Sequence, residues 1–233
     1  MYKVVWFARF SQGMANDDAR RYWAEHHGPL CAGTDIERYV QNHVIGRVPS
    51  VSGGPGDETF FDGYSLGWWS DRDAFDATME SPGWKALGVD GDNVFDMNWL
   101  RGMSASLREF VVIDGPMSPF KVLWMVRFKE GLDTAEAHTY WENVHGSIFK
   151  ALEIDRYVQN HVVGEVYPGT KPGFDGFSEC WFKDEEQFLR ALGSEAWADA
   201  VVDGNNIFDT SQLWRAVVNE RVVKSGVSEL AGV

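Results

Sequence analysis

The chain has 233 residues, 44% of them hydrophobic, with a formal net charge of −14 and a pI near 4.8. So acidic a chain argues against nucleic acid or an anionic membrane as a partner, because phosphate binding requires a cationic surface. No run approaches the roughly 18 apolar residues of a membrane-spanning helix, and the first residues lack the apolar core of a signal peptide. We therefore expect a cytoplasmic protein.

The first half of the chain alternates strand and helix signals in the order β-α-β-β-α-β. Asn16 or Asp17 can cap a helix that runs to Leu30, and Asp71 can cap a second helix that runs toward Glu80. This element order is typical of a ferredoxin-like module. The predicted strands cover residues 3–10, 38–48, 62–69 and 108–113.

The same pattern returns in the second half of the chain. Residues 37–44 read ERYVQNHV, and residues 155–162, at an offset of 118, read DRYVQNHV. Beyond a loop that is five residues shorter in the second copy, and whose longer form carries the turn sequence 50–56, the match resumes at an offset of 113. The repeat predicts two ferredoxin-like modules, residues 1–114 and residues 119–225.

Each predicted module has a face that needs a cover. A four-stranded sheet with both helices on one side leaves its other face bare, and the residues assigned to that face include large aromatic side chains. The tandem copy supplies a second sheet within the same chain. We therefore predict an α+β protein in which the two modules form one intramolecular barrel, and the sequence leaves open whether two chains form a homodimer.

Four of the six histidines match between the copies, His27 with His145 and His43 with His161. We assign the strand face of His43 and His161 to the barrel interior, because the opposite face carries valines suited to the helices. Such a cavity combines imidazoles that transfer protons near neutral pH with guanidinium groups that bind carboxylates. The predicted substrate-binding residues are Arg9, Arg127, Tyr39, Gln41, Tyr64, Trp68, Tyr157 and Gln159.

The same residues also fit structural roles. The repeated Tyr-Val-Gln-Asn-His segment can persist because it packs, and His27 and His145 lie near helix ends, where a structural hydrogen bond is common. Arg9 and Arg127 can close the barrel through an ion pair. The repeated tryptophans fit the core better than a site; they are Trp23, Trp84, Trp141 and Trp197.

The copies also differ, most clearly where Leu66 of the first becomes Glu179 of the second. An unpaired carboxylate inside an apolar barrel tends to have a raised pKa suited to acid–base catalysis, and we expect this of Glu179. The alternative is an ion pair with Arg9 or Arg127. No cysteine and histidine cluster has the spacing of a zinc site, so we expect no metal.

Residues 22–30, YWAEHHGPL, followed by RYVQNH at 38–43 and FDG at 61–63, resemble the EthD family of dimeric α+β barrel proteins. The resemblance covers nearly the whole chain twice, although Ser147 in the second copy replaces Pro29. It implies relatives encoded in ether-degradation clusters and fungal relatives that dehydrate or decarboxylate aromatic polyketides. The wider superfamily includes polyketide cyclases, muconolactone isomerase, monooxygenases and haem proteins, so the fold alone does not select a reaction.

The predicted cavity and the resemblance together favour a lyase that works without a cofactor and decarboxylates or dehydrates a phenolic or polycyclic aromatic substrate. In this hypothesis His43 or His161 is the general acid and base, and His27, His145 and Glu179 are further candidates. Two alternatives stay open. One is a haem protein with His161 or His43 as the axial ligand, and the other is a non-catalytic binding or accessory protein.

Overall fold

The computed structural model describes residues 1–48 and 61–226, so the turn sequence 50–56 lies outside the described residues. Eight antiparallel strands form one closed barrel. They are β1 (Tyr2–Ala8), β2 (Arg38–Gly46), β3 (Gly63–Trp69), β4 (Ser104–Ile113), β5 (Phe120–Val126), β6 (Arg156–Glu165), β7 (Gly176–Phe182) and β8 (Trp214–Lys224). Around the barrel the order is β1-β3-β2-β8-β5-β7-β6-β4.

Helices cover the outside of the barrel in both halves. In the first half they are α1 (Asn16–Tyr22), a π-helical turn (Trp23–His27), α2 (Gly28–Ala32), α3 (Arg72–Glu80), α4 (Pro82–Gly91) and α5 (Met97–Gly102). In the second half they are α6 (Thr134–Tyr140), a π-helical turn (Trp141–His145), α7 (Gly146–Ile148), a 3₁₀ turn (Phe149–Ala151), α8 (Glu185–Leu192), α9 (Glu195–Gly204) and a 3₁₀ turn (Thr210–Gln212).

A side-chain cap starts helix α3 but not helix α1. Asp71 caps α3 as predicted, since its side chain accepts a hydrogen bond from the Ala74 backbone N–H at 2.9 Å. By contrast, α1 begins at Asn16 after Ala15 without a side-chain cap, so the predicted capping by Asn16 or Asp17 is wrong. Packing of Ala19 and Trp23 against the sheet holds this helix in place.

The closing strand of each half joins the two halves. Strand β4 pairs with β1 of its own half and with β6 of the other, while β8 pairs with β5 and with β2. The barrel therefore closes only when both halves are present. This confirms the predicted fold, two tandem ferredoxin-like modules that form an intramolecular dimeric α+β barrel.

Apolar side chains from both halves fill the barrel. Tyr64 and Trp68 lie in this interior, as their strand pattern predicted. They pack with rings and aliphatic groups from facing strands, for example Phe7 with Phe177 at a centroid distance of 5.4 Å. The described residues of the interior thus form a packed core, and the two cavities described below lie outside it.

The face of β2 that carries Tyr39, Gln41 and His43 points outward to the helices, and Val40 and Val44 point into the barrel. Gln41 Nε2 donates to the Trp23 carbonyl at 3.0 Å, and the His43 ring lies 4.4 Å from the Trp23 ring. The prediction that this face lines the barrel is wrong.

The second half repeats this arrangement on β6, so the inward assignment of Tyr157, Gln159 and His161 is wrong as well. Gln159 Nε2 donates to the Trp141 carbonyl at 3.0 Å, and the His161 ring lies 4.6 Å from the Trp141 ring. The physical reason is that a buried amide needs a hydrogen-bond partner, and the backbone carbonyl of the π-helical turn supplies one to each glutamine.

The glycine after each helix-end histidine allows this close approach. A Cβ at Gly28 would lie 2.4 Å from Gln41 Nε2, and one at Gly146 would lie 2.6 Å from Gln159 Nε2. Only glycine fits at that distance. The repeated His-Gly and Tyr-Val-Gln-Asn-His segments thus fasten the helix to the strand, which explains why they recur together.

Candidate functional site

Glu179 lies inside the barrel but is not an unpaired carboxylate. Its Oε1 is 2.6 Å from Lys121 Nζ and accepts from the Tyr64 hydroxyl at 2.7 Å, while its Oε2 accepts from Asn160 Nδ2 at 3.0 Å. Burial alone would raise the pKa of Glu179, but the ammonium groups of Lys121 and Lys3 outweigh it and lower the pKa to about 2. The predicted raised pKa is wrong, and the ion-pair partner is a lysine and neither of the two arginines considered.

Arg9 and Arg127 lie just beyond the ends of β1 and β5, and both are half-buried. The Arg9 guanidinium lies 4.6 Å from the Trp99 ring centroid. Arg127 Nη1 donates to Gln212 Oε1 at 3.0 Å. These matched arginines therefore sit at the rim of the barrel.

Two cavities of the described residues lie between the outer face of the sheet and the helices. The larger one, about 330 Å³, belongs to the second half. Its aromatic walls are Trp124, Trp141, Phe149, Tyr157, Trp197 and Phe208. Its polar lining is His145, Ser178, Asn205, Thr210 and Arg215.

The corresponding cleft of the first half measures about 70 Å³. Met97 and Leu100 from α5 line it, and so does Tyr167, which follows β6 in the other half. The second half has the short turn Thr210–Gln212 in the place of α5, so its cleft stays open. Val48 of the first half lines this larger cavity, and each cleft therefore draws on both halves.

A hydrogen-bonded triad stands at the helix wall of the larger cavity. His145 Nδ1 lies 2.8 Å from Asp203 Oδ2, and the Tyr140 hydroxyl donates to Asp203 Oδ1 at 2.6 Å. Because a carboxylate only accepts, His145 Nδ1 carries the proton and Nε2 is the basic nitrogen. Burial lowers the pKa of His145 even though Asp203 acts to raise it, so the ring is neutral at pH 7 and able to take a proton.

The first half contains the same triad. The Tyr22 hydroxyl donates to Asp90 at 2.6 Å, and His27 Nδ1 lies 2.7 Å from the same carboxyl group, which His26 also approaches at 3.2 Å. Sequence reasoning named the two histidines and missed their tyrosine and aspartate partners. The signal was present, since residues 88–91 read GVDG and residues 201–204, at the repeat offset of 113, read VVDG.

The other predicted site residues are divided among several places. Tyr157 lines the larger cavity and Tyr39 the smaller, while Gln41 and Gln159 hold the helices. The Tyr157 hydroxyl accepts from Gln159 Nε2 at 3.3 Å, and burial raises its pKa. His43 and His161 line neither cavity.

A family model for the EthD domain matches residues 11–98 and 129–211, which together make up most of the chain. The chain belongs to the EthD family. Both EthD segments include their complete triad. No curated protein matches the sequence.

Three solved structures of low sequence identity share the fold of this EthD chain. They are an anthrone oxidase-like protein (10% identity, 97% of this chain and 95% of that chain covered, TM-score 0.60), a proposed monooxygenase of Fusobacterium nucleatum subsp. nucleatum (12%, 97% and 94%, 0.58) and a proposed monooxygenase of Lactobacillus acidophilus (10%, 97% and 96%, 0.53). All support a dimeric α+β barrel for the EthD chain.

Within residues 1–48 and 61–226, no helix has the length and apolar character needed to cross a bilayer. The same ranges contain no group of three or more His, Cys, Asp or Glu side chains placed to hold a metal ion.

Proposed function

We propose that the cavity of the second half binds a flat, hydroxylated aromatic molecule and that His145 transfers a proton to or from it. The observation that carries this proposal is a neutral imidazole, oriented by Asp203, at the wall of an aromatic cavity of about 330 Å³. Ligand cavities usually measure about 300–1,000 Å³, so this one suits a substrate of a few rings. Its site lies outside the barrel core, on the helix side of the sheet.

The cavity walls match such a substrate in shape and polarity. Trp124, Trp141 and Trp197 supply large flat surfaces for stacking, and Tyr157 and Ser178 place hydroxyl groups on the sheet side. A hydrogen bond from either hydroxyl to a substrate oxygen strengthens as charge develops there, because both side chains are buried.

The reaction that we propose is the elimination expected of a lyase. In a dehydration, His145 Nε2 removes a proton from carbon and returns it to the departing hydroxyl group, so that a double bond and water form. In a decarboxylation, neutral His145 first takes up a proton from solvent at Nε2 and then delivers it to the carbon whose bond to the carboxylate breaks, and CO₂ leaves. Neither sequence of steps needs a cofactor.

A second candidate reaction is oxidation by O₂, and the names of the structural neighbours favour it. Removal of a proton from a ring CH₂ group by His145 would leave a carbanion that O₂ can oxidise, so that the CH₂ group and O₂ become a ketone and water. This route shares the substrate class and the role of His145 with the lyase route.

The test compares His145→Ala with His27→Ala, its counterpart in the closed cleft. Purified protein is incubated with a panel of hydroxylated anthrones, naphthols and their carboxylic acids, and turnover is followed by absorbance, CO₂ release and an oxygen electrode. Loss of a general acid and base should lower kcat by about 100- to 10,000-fold in His145→Ala. His27→Ala should stay within about twofold of wild type, since its cleft is filled.

Other results would point elsewhere. Equal losses in the two variants, at unchanged thermal stability, would contradict the assignment of the site to the second half. A Soret band on haem addition would favour the haem alternative, and tight binding without any product would favour a non-catalytic binding protein.

A further inference from the structure

Positive side chains border the larger cavity, although the chain as a whole carries a net charge of −14. Arg215 lines the cavity from β8, where it lies opposite Trp124 of β5. The Lys129 ammonium donates to the carbonyl oxygen of Asn205, another lining residue. Two acidic residues lie beside this lining: Asp203 pairs with His145, and the Asp209 carboxylate accepts hydrogen bonds from Ser211 and Gln212.

The first half lacks these cations, although its strands have the same register. Ser104 lies opposite Trp6 in the way that Arg215 lies opposite Trp124, and it donates to the Leu100 carbonyl at 2.6 Å. Lys129 has Ser11 as its counterpart at the repeat offset of 118. Of the described residues that line the smaller cavity, none is a lysine or an arginine. The cations therefore accompany the open cavity and are not required by the fold.

We infer that Arg215 anchors a carboxylate of the substrate, an assignment that rests on the function proposed above. A guanidinium group can bind a carboxylate through two parallel hydrogen bonds, and half-burial in an aromatic cavity strengthens them. The expected substrate is thus a hydroxylated aromatic carboxylate, with Lys129 adding a longer-range attraction for the anion.

The position of Arg215 also indicates which part of the substrate reacts. Arg215 projects from the sheet, whereas His145 lies at the end of the π-helical turn on the opposite, helical wall. An ion pair stabilises a carboxylate and so slows its loss as CO₂. The carboxylate bound by Arg215 therefore positions the substrate and does not itself react. The proton transfer takes place on a carbon or oxygen at the other side of the molecule.

The experiment measures binding of two matched probes by isothermal titration calorimetry: a hydroxynaphthoate and the naphthol that lacks only its carboxylate. Wild type should bind the hydroxynaphthoate at least about tenfold more tightly, with one molecule per chain. Arg215→Ser, which installs the residue of the first half, should abolish this preference and leave the affinity for naphthol within about threefold. Arg215→Lys should keep part of the preference because it keeps the charge.

Three other results would contradict carboxylate binding by Arg215, and they can be told apart. Equal affinity of wild type for the two probes would leave the aromatic cavity in place and refute the role of Arg215. A parallel loss of both probes in Arg215→Ser, at unchanged melting temperature, would show that Arg215 shapes the cavity without selecting an anion. Failure of wild type to bind either probe would overturn the proposed function itself.

Discussion

The two halves of this chain share the contacts that fasten the helices to the sheet, and they differ in the size of the cavity between helices and sheet. Each half fastens its helix to the sheet through the same glutamine and glycine pair, and each carries a Tyr–Asp–His triad. Among the described residues, the cavity beside the triad measures about 330 Å³ in the second half and about 70 Å³ in the first, where Met97, Leu100 and Tyr167 narrow it. A matched residue is therefore evidence of shared structure, and the unmatched residues around it decide where chemistry can occur.

The buried ion pairs of the barrel also differ between the two halves. Lys3 and Lys121 are equivalent residues, yet Lys121 meets the buried Glu179 where the first half has Leu66. Lys3 instead pairs with Glu109, whose side chain is 37% exposed. Lys121 also pairs with Glu220, whose side chain is 18% exposed. The second half thus adds a fully buried carboxylate to the kind of ion pair that both halves contain.

This difference in burial predicts the largest effect on stability. Lys121→Met should lower the free energy of unfolding by about 3–5 kcal/mol, because it leaves Glu179 charged in the core without the ammonium group that lies 2.6 Å from it, and Lys3 then remains as the nearby cation. Lys3→Met should cost clearly less, since water can solvate Glu109. Urea unfolding followed by far-UV circular dichroism measures both variants.

A second substitution separates lost charge pairing from lost packing. The double variant Lys121→Met with Glu179→Leu copies the aliphatic residue of the first half and removes the uncompensated charge, so it should be more stable than Lys121→Met alone. Equal stability of the single and the double variant would mean that the ion pair is not what Lys121 contributes.

The two triads provide the next test of the comparison. Asp203→Asn should lower kcat by about 10- to 100-fold with little change in KM, because the amide no longer holds His145 in its basic tautomer. Asp90→Asn makes the same chemical change beside the closed cleft and should leave kcat within about twofold. Steady-state kinetics on whichever aromatic substrate is turned over give both values, and a similar fall in the two variants would contradict a single active half.

Features that depend on residues close together in the sequence were predictable, and features that depend on contacts between distant residues were not. The order of elements, the α3 cap at Asp71 and the intramolecular barrel follow from local patterns and from the repeat, and the structure agrees with them. The alternation of β2 also predicts correctly that Gln41 and His43 share a face. It does not say which face is inside, because both faces are buried and only the partner of each polar group distinguishes them.

The site was less accessible for the same reason. His145 was named as a candidate, but its partner Asp203 lies 58 positions away and meets it only through the packing of α9 on the π-helical turn. The larger cavity depends on a short 3₁₀ turn, Thr210–Gln212, that replaces α5 in the second half. No single residue of the sequence predicts this replacement. Glu179 was correctly placed inside the barrel, yet its depressed pKa depends on Lys121 from a neighbouring strand.

The smallest expected effect is a pH dependence shared by both halves. Burial, with a smaller contribution from Arg20 and Arg221, lowers the pKa of His43 to about 4. Burial, together with His138 and Arg108, lowers the pKa of His161 to about 3. Near pH 7 both rings are neutral in the folded chain.

Since the pKa of an unfolded histidine is about 6.5, the unfolded chain binds more protons than the folded one between that pH and the lowered pKa values. The stability due to these neutral rings is therefore complete above about pH 6.5 and is lost as the pH falls toward 3–4. His161→Phe should reduce the loss of unfolding free energy between pH 7 and pH 5 by about 1–2 kcal/mol, and His43→Phe by a similar amount. Urea unfolding at the two pH values tests this, and an unchanged difference in either variant would show that its ring is already protonated in the fold.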